Sequence, residues 1–101
     1  MPAGYWVAHV DVHDTESYKD YVASNGAAFA KFGGRFLVRG GPFENPVGAS
    51  RSRNIVLQFP SYQAALDCWQ SEEYQSARAK QKGGAEMDLI IIEGYDGAQP
   101  G

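Results

Sequence analysis

Residues 33–41 read Gly-Gly-Arg-Phe-Leu-Val-Arg-Gly-Gly, a short apolar strand with an arginine near each end. Side chains alternate across a strand, so Arg35, Leu37 and Arg39 are expected on one face and Phe36 and Val38 on the other. Two guanidiniums on a largely covered face are costly unless an anion pairs with them or water reaches them. A guanidinium engages a carboxylate in two-point fashion, so the pattern points to an anion-accepting pocket with Arg39 at its polar end. The competing reading is a structural salt bridge to Asp11, Asp88 or Glu93. Arg53 and Arg78 raise the same question, and Arg78, inside a helix, is expected to tie to Glu93 or Asp88.

His9 and Asp11 lie two apart on another strand, on a face expected to carry Arg39 and Glu93 as well. A histidine beside carboxylates can serve as a general base near neutral pH, which makes His9 the candidate catalytic residue. Its competing role is a hydrogen bond in a subunit interface. His13 falls at a strand–helix junction and reads as a solvent-facing turn residue. Two histidines without compact His/Glu spacing make no metal site, so no metal is expected. The aromatics Trp6, Tyr18, Tyr21, Phe29, Trp69 and Tyr74 could line an apolar cavity, although at helical spacing most aromatics are core. Arg35, Arg39, Tyr18, Tyr21 and Trp69 are therefore the candidate ligand-binding residues. Cys68 has no basic neighbour in sequence and reads as inert packing. Gly40-Gly41-Pro42 lacks the lysine and the strand-to-helix context of a phosphate loop.

The elements that must position these residues follow from periodicity and caps. A first strand spans 4–12, and Asp14 can cap the helix after it. In that helix Tyr18, Tyr21, Val22, Asn25, Phe29 and Phe32 share one face, with Gly26 as a weak middle and Gly33-Gly34 as the stop. Strand 34–39 runs into a loop over 40–52 that is longer than a tight hairpin needs. A third strand runs from Arg53 to Phe59 and ends at Pro60. Ser61 caps a second helical segment, and Ser71-Glu72-Glu73 predicts a break and a fresh start within it. Gly83-Gly84 ends the segment before a last strand over 86–94. Residues 1–95 thus form a single domain, with 96–101 as a flexible tail.

The β-α-β-β-α-β order is the ferredoxin-like α+β arrangement, a four-stranded antiparallel sheet with the helices on one face. Strand parity puts Trp6, Ala8, Val10, Val12, Phe36, Val38, Ile55, Leu57, Phe59, Ile90 and Ile92 toward the helices. The opposite face then holds Tyr5, Val7, His9, Asp11, Arg35, Leu37, Arg39, Asn54, Val56, Gln58, Leu89, Ile91 and Glu93. That face is too apolar for a free surface. At roughly 1.5–3 kcal/mol per buried large apolar side chain, covering half of its apolar members favours association by several kcal/mol. A second copy of the sheet is the expected cover, giving a homodimer.

The chain has 101 residues, 44% of them hydrophobic and 13% aromatic, enough for one core. Its formal charge of −3 comes without a basic cluster, so the footprint of a nucleic-acid binder is missing. The single cysteine rules out an internal disulfide and suits a cytoplasmic setting. No charged leader precedes an apolar run, and Leu89-Ile90-Ile91-Ile92 is too short to cross a bilayer, so neither a signal peptide nor a membrane span is expected.

With these residues placed, the chain resembles a bacterial family known only as a domain of unknown function, of about this size, within the dimeric α/β-barrel superfamily. The resemblance covers residues 4–95. Its carriers are Gly4-Tyr5-Trp6-Val7-Ala8, Asp11-Val12, Tyr18, Tyr21, the Gly33 to Gly41 block, Arg53, Phe59-Pro60-Ser61, Ala64-Ala65, Ser71-Glu72-Glu73-Tyr74-Gln75, Ala77-Arg78, and Asp88 through Gly94. Gly26 stands where a proline is expected and Glu73 follows Glu72 where a proline–glutamate pair is common. The resemblance implies the fold and pairing into a dimeric α/β barrel. Superfamily relatives include cofactor-independent monooxygenases, isomerases and haem enzymes, so activity rests on fold analogy alone. Two functions are consistent with these readings, with no cofactor expected. One is a monooxygenase- or isomerase-like enzyme acting on a small aromatic or carboxylated metabolite; the other is a non-catalytic, small-molecule-binding or stress-related dimer. A purely structural assembly role would need no cavity. The first two are separated by whether His9 or a tyrosine meets the arginines inside an enclosed pocket.

Overall fold

The computed structural model describes residues 2–101. Its elements run β1 (Gly4–Val12), α1 (Thr15–Lys31), β2 (Arg35–Arg39), β3 (Arg53–Phe59), α2 (Tyr62–Gln70), α3 (Glu72–Ala79) and β4 (Ala85–Glu93). The boundaries have local causes. The Asp14 carboxylate accepts the Glu16 and Ser17 backbone N–H groups at 3.1 and 3.3 Å, satisfying donors that the first turn of α1 leaves free. Gly33, at φ +74°, ends that helix in the left-handed conformation. The break expected within the second helical segment falls at Ser71, which closes α2 and caps α3 by accepting the Tyr74 N–H at 3.1 Å.

The sheet order is β2-β3-β1-β4 with every neighbouring pair antiparallel, which is the ferredoxin-like topology expected from the element order. Trp6 stands opposite Leu57 on one side and Ile91 on the other, and Ala8 opposite Ile55 and Leu89. These residues form the inner face, against the helices. The parity expected for β4 is therefore reversed. Leu89 and Ile91 pack against the core, while Ile90 and Ile92 are 56% and 48% exposed on the outer face. Four consecutive apolar residues carry no period-two signal, and register to β1 decides which pair is buried.

A second correction concerns β2. Phe36 faces Leu57 and Arg35 faces Gln58, but Val38 then faces Val56 and Arg39 faces Ile55, because the register shifts between Phe36 and Val38. Leu37 is the extra residue of a β-bulge, and a bulge changes which face the following side chains take. Arg35 consequently lies on the outer face with Gln58, whereas Arg39 lies on the inner face with Ile55. Val38, expected in the core, is outer and exposed.

Trp6 anchors the core. Its indole Nε1–H donates to the Ala65 carbonyl at 2.9 Å, and its ring meets Phe29 and Tyr74 edge-on at 5.3 and 4.8 Å between centroids. Helix α1 packs closely on α3 and stands off from the sheet, with aromatic side chains filling the space between. All the helices lie on one side, so the molecule is a slab 16 Å thin with a bare sheet face. Among the described residues no helix is long and apolar enough to cross a membrane.

Candidate functional site

Where α1 stands off from the sheet, a cavity of about 30 Å³ remains. Its floor is the inner sheet face: Trp6 and Ala8 from β1, Phe36 and Arg39 from β2, Arg53, Ile55 and Leu57 from β3, Met87 and Leu89 from β4. Its roof is Tyr18, Tyr21, Val22, Asn25 and Phe29 from α1, with Tyr74 from α3. Ala8, between Trp6 and Val10 on the inner face of a central strand, is the small side chain that leaves the floor low. A water needs roughly 10–15 Å³ of such space, so the cavity as it stands has room for about two waters. A larger guest must displace side chains, and on the roof Tyr18 and Val22 are half-buried.

At the back of the cavity the Tyr21 and Tyr74 hydroxyls lie 2.8 Å apart. Tyr74 is fully buried and Tyr21 nearly so, so each hydroxyl meets the other's need for a partner. Burial pushes both phenols above their ordinary range, with the shared hydrogen bond opposing that shift at Tyr21 and adding to it at Tyr74. Both therefore remain protonated at neutral pH and offer hydrogen bonds rather than a base. The lining contains no histidine, carboxylate, lysine or cysteine.

Its charges are both arginines. Arg39 is exposed at the rim, its guanidinium 4.2 Å above the Phe36 ring. Arg53 is half-buried and its Nε is fully enclosed without a hydrogen-bond partner. Among the described residues neither guanidinium has a carboxylate within 4.0 Å; the ion pairs there involve His9, His13, Lys19, Lys31 and Arg51.

The outer face is arranged in the opposite way. Arg51, in the loop before β3, reaches Asp88 and Asp11 at 3.0 Å and Glu86 at 3.1 Å. His9 joins this network: Nε2 lies 3.0 Å from Asp88, and Nδ1 accepts the Arg51 backbone N–H at 3.2 Å. Asp11 also accepts the Ser52 N–H at 2.9 Å. Hydrogen bonds from Ser52, then Arg51, hold the Asp11 carboxyl below its ordinary range, and those from Arg51, then His9, do the same for Asp88. The same carboxylates push the Arg51 guanidinium up. This network pins the end of the 40–52 loop to the sheet.

Of the residues singled out in the sequence, the structure brings Arg39, Tyr18 and Tyr21 to one cavity. Arg35 and His9 lie on the other side of the sheet, so His9 shares no face with Arg39. Glu93 is not with His9 either, because it stands opposite Gly4, which has the parity of Trp6. Trp69 lies outside the cavity lining, packed on Tyr74 with Arg78 stacked 5.0 Å above its own ring. Arg78 makes that stacking contact in place of the expected tie to Glu93 or Asp88. Asp11 and Asp88 pair instead with Arg51. Its signal was weak, an arginine in a polar loop beyond a strand end. Arg53 was legible as a strand residue in step with Ile55 and Leu57, and that parity already aimed it inward. Among the described residues no group of three or more His, Cys, Asp or Glu side chains is placed to hold a metal ion.

Several solved structures share this architecture. A protein of unknown function from Rhodopseudomonas palustris superposes with a TM-score of 0.73 at 17% identity, covering 95% of this chain and 85% of that one. SnoaB, a cofactor-independent oxygenase from Streptomyces nogalater, gives a TM-score of 0.61 at 13% identity, covering 99% and 97%. A putative antibiotic biosynthesis monooxygenase from Nitrosomonas europaea gives 0.58 at 15% identity, covering 93% and 98%. At such identities these likenesses establish the fold alone, the ferredoxin-like α+β arrangement. No curated protein matches the chain by sequence. Residues 3–95 match the family described as Domain of unknown function (DUF1330), and with nearly the whole chain covered, the protein belongs to that family.

Proposed function

We propose that the protein is a cytoplasmic homodimer that binds a small aromatic molecule between α1 and the sheet, in the cavity lined by Arg39, Tyr18 and Tyr21. The observation that carries this reading is the meeting of tyrosine hydroxyls and unpaired arginines in one mostly apolar, aromatic-walled space. Small-molecule sites have this composition, apolar walls with a few polar groups that fix orientation. The dimer is supported by the outer sheet face, where Val7, Val38, Ile90 and Ile92 are all more than a third exposed on a slab 16 Å thin. A second sheet laid on that face would bury them. Cys68, alone and buried, suits a reducing compartment.

Binding is favoured over acid–base catalysis because the cavity offers no general base. His9 lies on the far side of the sheet, and the buried phenols hold their protons. A cofactor-independent enzyme remains the second reading, favoured by the fold shared with the oxygenase SnoaB. The substrate would then have to supply its own anion, with arginines and hydroxyls stabilising the negative charge.

Titration with phenol, a neutral aromatic probe, followed through the amide and indole N–H resonances, tests the site. Millimolar binding should shift the Trp6 indole N–H and the amides of Tyr18 and Tyr21. Shifts confined to the outer face, or none with phenol or any other small aromatic probe, would overturn the cavity as a ligand site. Light scattering at micromolar concentration should report twice the chain mass, since an interface of ordinary size holds at that concentration; a monomer would overturn the dimer.

A further inference from the structure

We infer that the cavity's ligand carries a carboxylate, and that Arg39 and Arg53 together take it. This rests on the small-molecule reading above and goes beyond it by naming the ligand's charge and a second arginine. Arg39 stands opposite Ile55, and Arg53 lies two residues from Ile55 on the same face, so the two arginines are diagonal cross-strand neighbours. Such neighbours have Cα atoms roughly 7–8 Å apart, within reach of long side chains.

Both side chains rise from one stretch of that face, the Arg39 guanidinium over the Phe36 ring and the Arg53 guanidinium beside Gly40. The Arg53 guanidinium packs against Gly40, the residue after Arg39, where a side-chain Cβ would collide with it. Gly40 is held in place by its N–H bond to the Asn54 carbonyl at 2.8 Å and takes φ +72°. Like charges set side by side on one sheet face repel unless an anion lies between them. Arg51 is held by its carboxylates, and Arg39 and Arg78 stack over Phe36 and Trp69, whereas Arg53 keeps an enclosed Nε without a hydrogen-bond partner. An enclosed guanidinium N–H is costly to leave unmade, and a planar carboxylate is the anion that fits a guanidinium fork.

The ligand's apolar part would then extend from the arginines toward Trp6 and the Tyr21–Tyr74 hydroxyl pair, entering where Tyr18 and Val22 give way. A small aromatic monocarboxylate has this shape. A sugar phosphate fits less well, because the walls beyond the arginines are mostly apolar, with Trp6, Phe36, Leu57 and Leu89 among them.

Benzoate and benzamide test this, being near-identical in shape and different in charge. Titrated against the protein and read at the Trp6 indole N–H, benzoate should bind about tenfold or more tightly than benzamide, the scale of a charge-assisted hydrogen bond. Arg39→Met and Arg53→Met should each remove that preference, while Arg35→Met, on the outer face, should preserve it. If Arg53→Met fails to fold, Arg39→Met at the exposed rim decides alone. Equal affinity for the two probes would overturn the carboxylate while leaving the cavity reading intact. A preference that survives the Met variants would place the anion elsewhere and overturn the arginine pair. If phenol and both probes leave the cavity resonances unmoved, the cavity reading fails and this inference falls with it.

Discussion

His9 Nδ1 accepts the backbone N–H of Arg51 at 3.2 Å, forty-two positions along the chain, so the imidazole proton resides on Nε2, 3.0 Å from Asp88. A backbone N–H can only donate, which settles the tautomer from geometry. The histidine thereby helps fasten the loop that begins at Gly40 and ends beside Arg53.

The charge network around that histidine should be visible in acid. Asp11 and Asp88 have folded-state carboxyls held below the unfolded value of 3.8, so their stabilisation is complete above that pH and is lost as pH falls through the folded value. Arg51→Met should lower the urea midpoint at pH 7, and the gap to the parent protein should close below pH 3.8. A gap independent of pH would mean that Arg51 acts through packing alone.

The tyrosine pair should show strong coupling. Tyr74→Phe leaves the Tyr21 hydroxyl without its 2.8 Å partner in a buried setting, at a cost of about 1–3 kcal/mol. Tyr21→Phe should cost a similar amount, and the double variant markedly less than the sum, because no orphaned hydroxyl then remains. Additive losses in a double-mutant cycle by chemical denaturation would show that the two hydroxyls act independently.

Parity along β4 can be tested with adjacent residues. Leu89→Ala should lower folding stability by about 2 kcal/mol, as expected for truncating a half-buried core leucine. Ile90→Glu, one position on, should leave the monomer folded and shift light scattering from twice the chain mass to the chain mass. A dimer that tolerates glutamate at position 90 would move the interface away from this face.

Gly40 combines a positive φ of +72° with a guanidinium where a side chain would stand. Gly40→Ala should therefore destabilise by more than about 1 kcal/mol in thermal or urea unfolding. Gly41→Ala, where an added Cβ meets nothing within 4 Å, is the matched control and should be near neutral.

Cys68 is fully buried, and burial pushes its thiol up to about 12. A thiol-specific disulfide reagent at pH 8 should label the native protein very slowly and the urea-unfolded protein rapidly. Rapid native labelling would indicate frequent local opening of α2.

Local sequence determined the elements and much of their order in space. Asp14, Ser61 and Ser71 mark helix starts because their side chains satisfy donors only a few residues away, a relation that spacing alone reveals. Alternation in Trp6, Ala8 and Val10 and in Ile55, Leu57 and Phe59 set the inner faces of β1 and β3 for the same local reason. Three things were decided only in the tertiary structure. The uniform run Leu89 to Ile92 has no alternation, so its register to β1 chose which side is core, although Glu86 and Asp88, four and two residues before Ile90, already hinted at an outward parity. The bulge at Leu37 inserts one residue that no residue type announces, and it sends Arg39 inward while Arg35 stays outside. Arg51 meets Asp11, Glu86 and Asp88 from thirty-five to forty positions away, a convergence that depends on the loop's path rather than on any spacing. Residue types set what chemistry was at hand; strand register, a long-range property, chose which residues share a cavity.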